Sequence, residues 1–158
     1  MKNMIAALGM LALAGAAQAG GAMQGMNEQV QVASSNGKVV VTLTVHNGGK
    51  APLFVSKALY QATQLFGRVF DITEQGAGEI DYIGPMVKRG PYTKDDYLKV
   101  LPGAKLSHSM DITRSYAFKP GTHTYQLSYG GHVVNSLSKL DQPTTLAVAP
   151  VTFTHTAK

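Results

Sequence analysis

Residues 38–46 alternate too regularly for more than one kind of local structure. Val39, Val41, Leu43 and Val45 fall in one phase, with Thr42, Thr44 and His46 in the other. In an extended chain successive side chains point to opposite faces, so this pattern makes one apolar face and one polar face. A helix would scatter the same residues around its axis. Just upstream stands Asn36-Gly37, a dipeptide in which both residues tolerate positive φ, as a two-residue hairpin turn requires. The sequence therefore predicts a half-buried antiparallel strand paired with Glu28 to Ala33, and the rest of the chain must cover its apolar face.

Downstream, the chain reads as more strands. Apolar stretches at 52–56, 68–73, 79–83, 98–101, 105–112, 122–129 and 144–154 are separated by turn signals such as Gly48-Gly49, Gly76-Ala77-Gly78, Pro102-Gly103 and Pro120-Gly121. Residues 57–65 fit either a short helix or an irregular crossover. Thr93 ahead of Asp95 and Asp96 suits a single capped turn. Residues 130–143 read as a looser polar region. The apolar phase moves from Leu146 and Val148 to Val151 and Phe153, which predicts a bulge at Pro150. About eight or nine short strands with almost no helix make an all-β fold, an immunoglobulin-like antiparallel β-sandwich over residues 28–158. Tyr125, two residues before Leu127, resembles the late strand of such domains, although no cysteine is present for their disulfide.

The first residues have a different character. Lys2, an apolar run from Met4 to Ala16 and the small-x-small site Ala17-Gln18-Ala19 predict a signal peptide over 1–19, hence export to the periplasm or the medium. The run falls short of the ~20 strongly apolar residues of a membrane span, so no stable membrane insertion is expected. Residues 20–27, rich in Gly and Met, read as a flexible leader. With no cysteine there is no disulfide and no thiolate chemistry. The charge of +5 is scattered and forms no stripe for nucleic acid.

Familiar catalytic patterns are missing. No two of His46, His108, His123, His132 and His155 lie four apart, as a helical zinc motif requires. They are either partly buried and bonded to backbone or form a scattered ligand set. No G-x-S-x-G turn, phosphate loop or dinucleotide fingerprint occurs. Adjacent Asp95 and Asp96 diverge on a helical turn and suit its solvated start better than acid–base work. Asp71, Glu74, Glu79 and Asp81 lack calcium-loop spacing. The expectation is a non-enzyme with no catalytic residue, cofactor or metal.

One stretch is denser than any strand or loop requires. Residues 80–97, IDYIGPMVKRGPYTKDDY, set tyrosines and a Gly-Pro pair around a basic turn and follow them with two acids. Lys88-Arg89 is either a solvated turn, with Arg89 paired to a nearby carboxylate, or a recognition loop. Tyr and Arg are favoured interface anchors, and loops commonly carry binding sites. The candidate partner-binding residues are Lys88, Arg89, Tyr92, Asp96 and Tyr97.

The ordered set Tyr82-x-Gly84, Lys88-Arg89-Gly90, Asp96-Tyr97, Pro102-Gly103, Tyr116 and Gly121-x-x-x-Tyr125 resembles the N-terminal pro-domain of bacterial deuterolysin-type (aspzincin) zinc metalloproteases, including peptidyl-Lys metalloendopeptidases, over roughly 39–129. The resemblance implies a β-sandwich associated with folding and latency of a protease, here acting as a stand-alone inhibitor or folding assistant of a secreted zinc metalloprotease. The alternative is a general exported binding or structural module. The family's HExxH and GTxD motifs do not occur in the sequence, so no catalytic role carries over. Residues 56–67 also lack the Thr-Pro-type loop that the resemblance would place there.

Overall fold

A computed structural model describes residues 25–158. The expected signal peptide, and the leader as far as residue 24, lie outside the described residues. Among the described residues, eleven strands and one short α-helix form an all-β fold of antiparallel sheets. Strand β1 (Met26–Ser35) and strand β2 (Lys38–Asn47) pair along their whole length, from Met26 opposite Asn47 to Ser35 opposite Lys38. Met26 and Asn27, expected in the leader, therefore begin the first strand. Asn36 and Gly37 close the hairpin with φ of 52° and 73°, the left-handed values that a primed two-residue turn needs.

The alternation in β2 appears as burial. Val39, Val41, Leu43 and Val45 are fully buried. On the opposite face Thr42 meets Ser109 at 2.7 Å and Thr44 meets Ser107 at 2.7 Å. Burying each aliphatic side chain contributes about 1.5–3 kcal/mol, against about 0.2–1 kcal/mol for a cross-strand hydroxyl pair. The inward row therefore sets the register, because a slip of one residue would expose all four.

Next come β3 (Leu53–Ser56), helix α1 (Lys57–Tyr60), β4 (Asp71–Glu74), β5 (Gly78–Glu79), β6 (Tyr97–Val100), β7 (Lys105–Asp111), β8 (Gly121–Ser128), β9 (Gly131–Val133), β10 (Thr144–Leu146) and β11 (Val151–Ala157). The sheets run β1-β2-β7, β11-β8-β4-β5, β3-β6 and β10-β9. One apolar cluster joins residues from them, including Leu43, Val55, Ile72, Tyr125, Val133 and Phe153.

Several expectations change. Residues 68–70 precede β4 instead of belonging to it. Residues 57–65 hold a single α-helical turn, with the Ser56 hydroxyl accepting from the Ala58 N–H at 3.2 Å. The looser region holds β9, with Val133 and Val134 buried. Residues 144–154 are two strands in two sheets. β10 pairs with β9 and β11 with β8, and the chain crosses at 147–150. The phase shift marks that change of partner, and Pro150 has no N–H with which to continue a ladder.

Candidate functional site

The segment between β5 and β6 is fastened at several points. Tyr82 bridges Tyr116, and the Ala117 N–H donates to the Asp81 carbonyl at 2.9 Å. Ile83 and Gly84 both donate to the Ser115 carbonyl, at 2.8 and 3.2 Å, and Val87 donates to Phe66 at 3.2 Å. The Tyr82 hydroxyl donates to the Pro85 carbonyl at 2.7 Å, so its ring folds back over Gly84, where a Cβ would collide with it. A side chain at that position would require the ring to shift.

The second half of the segment is held by Asp96. A 3₁₀ turn at Lys94–Asp96 follows Thr93. The Asp96 carboxylate accepts the Thr93 N–H at 2.8 Å and the Thr93 hydroxyl at 3.1 Å, the return arm of a capping box. It also accepts Arg89 Nη2 at 2.8 Å. The Thr93 N–H first, then its hydroxyl and Arg89, holds the Asp96 carboxyl below the usual aspartate range. The Arg89 guanidinium lies over the Tyr92 ring, 4.8 Å from its centroid, and Tyr92 packs against Tyr97 at 6.0 Å.

Four of the five predicted residues are thus one cluster: Arg89, Tyr92, Asp96 and Tyr97. Lys88 is exposed and has no ion-pair partner among the described residues. Arg89 does pair with a carboxylate, as the solvated-turn reading anticipated. Yet Asp96 engages only Nη2, and Nε and Nη1 make no hydrogen bond with a described residue. Outside the cluster Ile83, Met86 and Val87 are 61%, 80% and 55% exposed.

Beside this segment lies a groove of about 420 Å³ that the sequence did not reveal. Its apolar lining is Ala58, Ala62, Phe66 and Val87, and its cations are Lys57 and Arg89. His108 Nε2–H donates to the Ala62 carbonyl at 2.7 Å and ties the chain after α1 to β7. From within, the Tyr60 hydroxyl donates to Glu28 Oε1 at 2.5 Å, and Tyr129 donates to the same oxygen at 3.3 Å. Glu28 is 4% exposed, and its Oε2 has no hydrogen-bond partner among the described residues. Burial pushes its carboxyl above the usual glutamate range, against the two tyrosine bonds, and pushes both tyrosine hydroxyls well up. Its phase with Val30 in β1 was the available sequence signal for an inward carboxylate.

Besides His108, two histidines are bonded within the fold. His123 bonds Glu74 through Nδ1 at 2.7 Å and the Pro120 carbonyl through Nε2 at 2.9 Å. His155 bonds the Ser34 hydroxyl at 2.9 Å, and burial lowers its pKa. Among the described residues no three His, Asp or Glu side chains converge as a metal set, and no helix is long and apolar enough to cross a membrane. No family model and no curated protein matches the chain.

Proposed function

We propose that this chain is an exported, non-catalytic β-sandwich of immunoglobulin type that binds a protein partner through residues 83–97. The fold reading is supported by the single core shared by the β1-β2-β7 and β11-β8-β4-β5 sheets. It is also supported by Tyr125, whose hydroxyl accepts the Lys119 N–H six residues upstream at 3.2 Å, as in a tyrosine corner.

One observation carries the binding reading. Ile83, Met86 and Val87 face solvent on a backbone fastened to Ser115 and Phe66, with the clamped Arg89 beside them. Apolar side chains held outward on fixed backbone lose little entropy on docking, and an exposed apolar patch rimmed by polar groups is characteristic of interaction sites. The resemblance of 39–129 to deuterolysin-type pro-domains suggests the partner, a secreted zinc metalloprotease whose cleft the segment would occlude. The broader reading, a module for another exported protein, rests on the same surface.

The test mixes purified protein with a deuterolysin-type protease and follows both activity and complex formation. Slowed proteolysis is expected, together with a complex weakened about tenfold or more by Lys88→Glu with Arg89→Glu, a loss of ~1.4 kcal/mol. Unchanged activity and no complex at high micromolar protein would remove the protease and leave the broader module. A complex indifferent to the double charge reversal would remove the segment as the contact surface.

A further inference from the structure

The groove beside the segment has a chemistry of its own. Ala58, Ala62, Phe66 and Val87 give it apolar walls, and Lys57 and Arg89 bring two cations to it. Lys57 has no carboxylate within ion-pair distance among the described residues. Arg89 is oriented by Asp96 through Nη2 and by the Tyr92 ring beneath its plane, which leaves Nε and Nη1 without a bond. Nε–H and Nη1 lie on different edges of the guanidinium, with Cδ between them, so each remains as a separate single donor for a carboxylate. Because the side chain is already clamped, little rotamer freedom remains to be lost when it meets one.

From these features we infer that the groove receives a segment of a partner protein in which an apolar side chain stands next to a carboxylate. The apolar side chain would fill the space between Phe66 and Val87, and the carboxylate would meet Arg89 and Lys57. A volume of about 420 Å³ lies within the range of small-ligand pockets and is room for one large side chain of a partner. A small amphiphile would fit the groove but leave Ile83 and Met86, 61% and 80% exposed, uncovered. A partner chain that continues past Val87 of the lining would reach Met86, its neighbour in sequence. The net charge of +5 favours the approach of an acidic segment. This inference rests on the docking reading above and adds the chemistry of the partner.

Isotope-labelled protein titrated with matched short peptides tests it by amide and arginine side-chain NMR shifts. The probe peptide carries Leu-Phe-Glu between glycines, with blocked ends. Control peptides replace the glutamate by glutamine or by lysine, or the Leu-Phe pair by two serines. The glutamate peptide should shift amides in 57–66 and 83–97 and the Arg89 side chain. It should bind about tenfold more tightly than the glutamine peptide, and more tightly still than the lysine one. Arg89→Met with Lys57→Met should abolish the preference for glutamate, Arg89→Lys alone should keep part of it, and Ala62→Arg should close the groove to every peptide. Unchanged amide shifts in β2 confirm that each variant is folded. Equal affinity for the glutamate, glutamine and lysine peptides, shifts confined to other surfaces, or no shift at millimolar peptide overturns the inference. If protease or other partner binding still depends on Ile83 and Met86 in that event, the docking reading survives and only the acidic-apolar chemistry fails.

Discussion

Glu28 and Arg89 are held in similar ways on opposite sides of the molecular surface. Each is an ionisable group held by tyrosine, Glu28 by two and Arg89 by one, and each keeps part of its hydrogen-bonding capacity unused. Glu28 accepts from Tyr60 and Tyr129 through Oε1 and leaves Oε2 buried without a partner. Arg89 lies over Tyr92, gives Nη2 to Asp96 and leaves Nε and Nη1 outside. Inside, an unused acceptor cannot reach water, and its cost falls on folding. Outside, unused donors stay hydrated until a partner replaces the water. The same incompleteness is thus a stability term in one place and, on the docking reading proposed above, a binding resource in the other. The two are linked through α1, since Tyr60 anchors from within the turn whose Lys57 and Ala58 line the groove.

The largest expected effect is on the interior side. Tyr60→Phe keeps the ring and removes the closer donor to Glu28, so it should cost about 1–3 kcal/mol in urea denaturation. The loss should be greater at pH 8 than at pH 5, because the ionised carboxylate needs that donor most. A loss of equal size at both pH values would mean that Tyr60 acts by packing alone.

A smaller and signed effect is expected for Glu28→Gln. Burial raises the folded carboxyl above its unfolded value of 4.5. The folded state therefore holds a proton that the unfolded state has released. The stability from this group is fully present below pH 4.5, is lost as pH rises through the folded value, and is level beyond it. Glutamine mimics the protonated acid, so the variant should lack this fall and be the more stable protein at pH 8. His155 runs the other way. Burial lowers its pKa from 6.5, so its contribution is present above that pH and is lost as pH falls through the folded value. Removing Glu28 should leave the His155 slope in place, which a stability–pH profile of both proteins will show.

The smallest effect on folding belongs to the surface. Arg89→Met should leave the denaturation midpoint unmoved, because an exposed pair contributes little. It should still weaken partner binding through the segment. A clear fall in the midpoint would make Arg89 a structural residue and undo the contrast with Glu28.

Local features were legible in the sequence and distant ones were not. Asn36-Gly37 and the valine phase of β2 specify their hairpin through turn chemistry and period alone. Thr93 and Asp96 lie three residues apart, so their capped turn was also readable, although the bond from the Thr93 hydroxyl to the Asp96 carboxylate was not foreseen. Residues 144–154 kept their strand character but not their unity, because a change of sheet and a bulge shift the apolar phase alike. The Glu28 cluster joins positions 32 and 101 residues apart, and the groove brings α1 and Phe66 against Val87. No local pattern encodes such meetings. The cluster of Arg89, Tyr92, Asp96 and Tyr97 was legible because all four lie within one short segment.

The central claim is that residues 83–97 are already ordered before any partner arrives, and amide hydrogen exchange on the free protein tests it most directly. The N–H groups of Ile83, Gly84, Val87, Thr93 and Asp96 all have acceptors within the fold. They should exchange at least ~100-fold more slowly than the same residues in an unstructured peptide, corresponding to about 2.7 kcal/mol of protection. Lys88 and Gly90, for which no such acceptor is found among the described residues, should exchange rapidly between them. Exchange at peptide rates throughout 83–97 would contradict the account, because a mobile segment could not hold Arg89 and its apolar neighbours ready for binding.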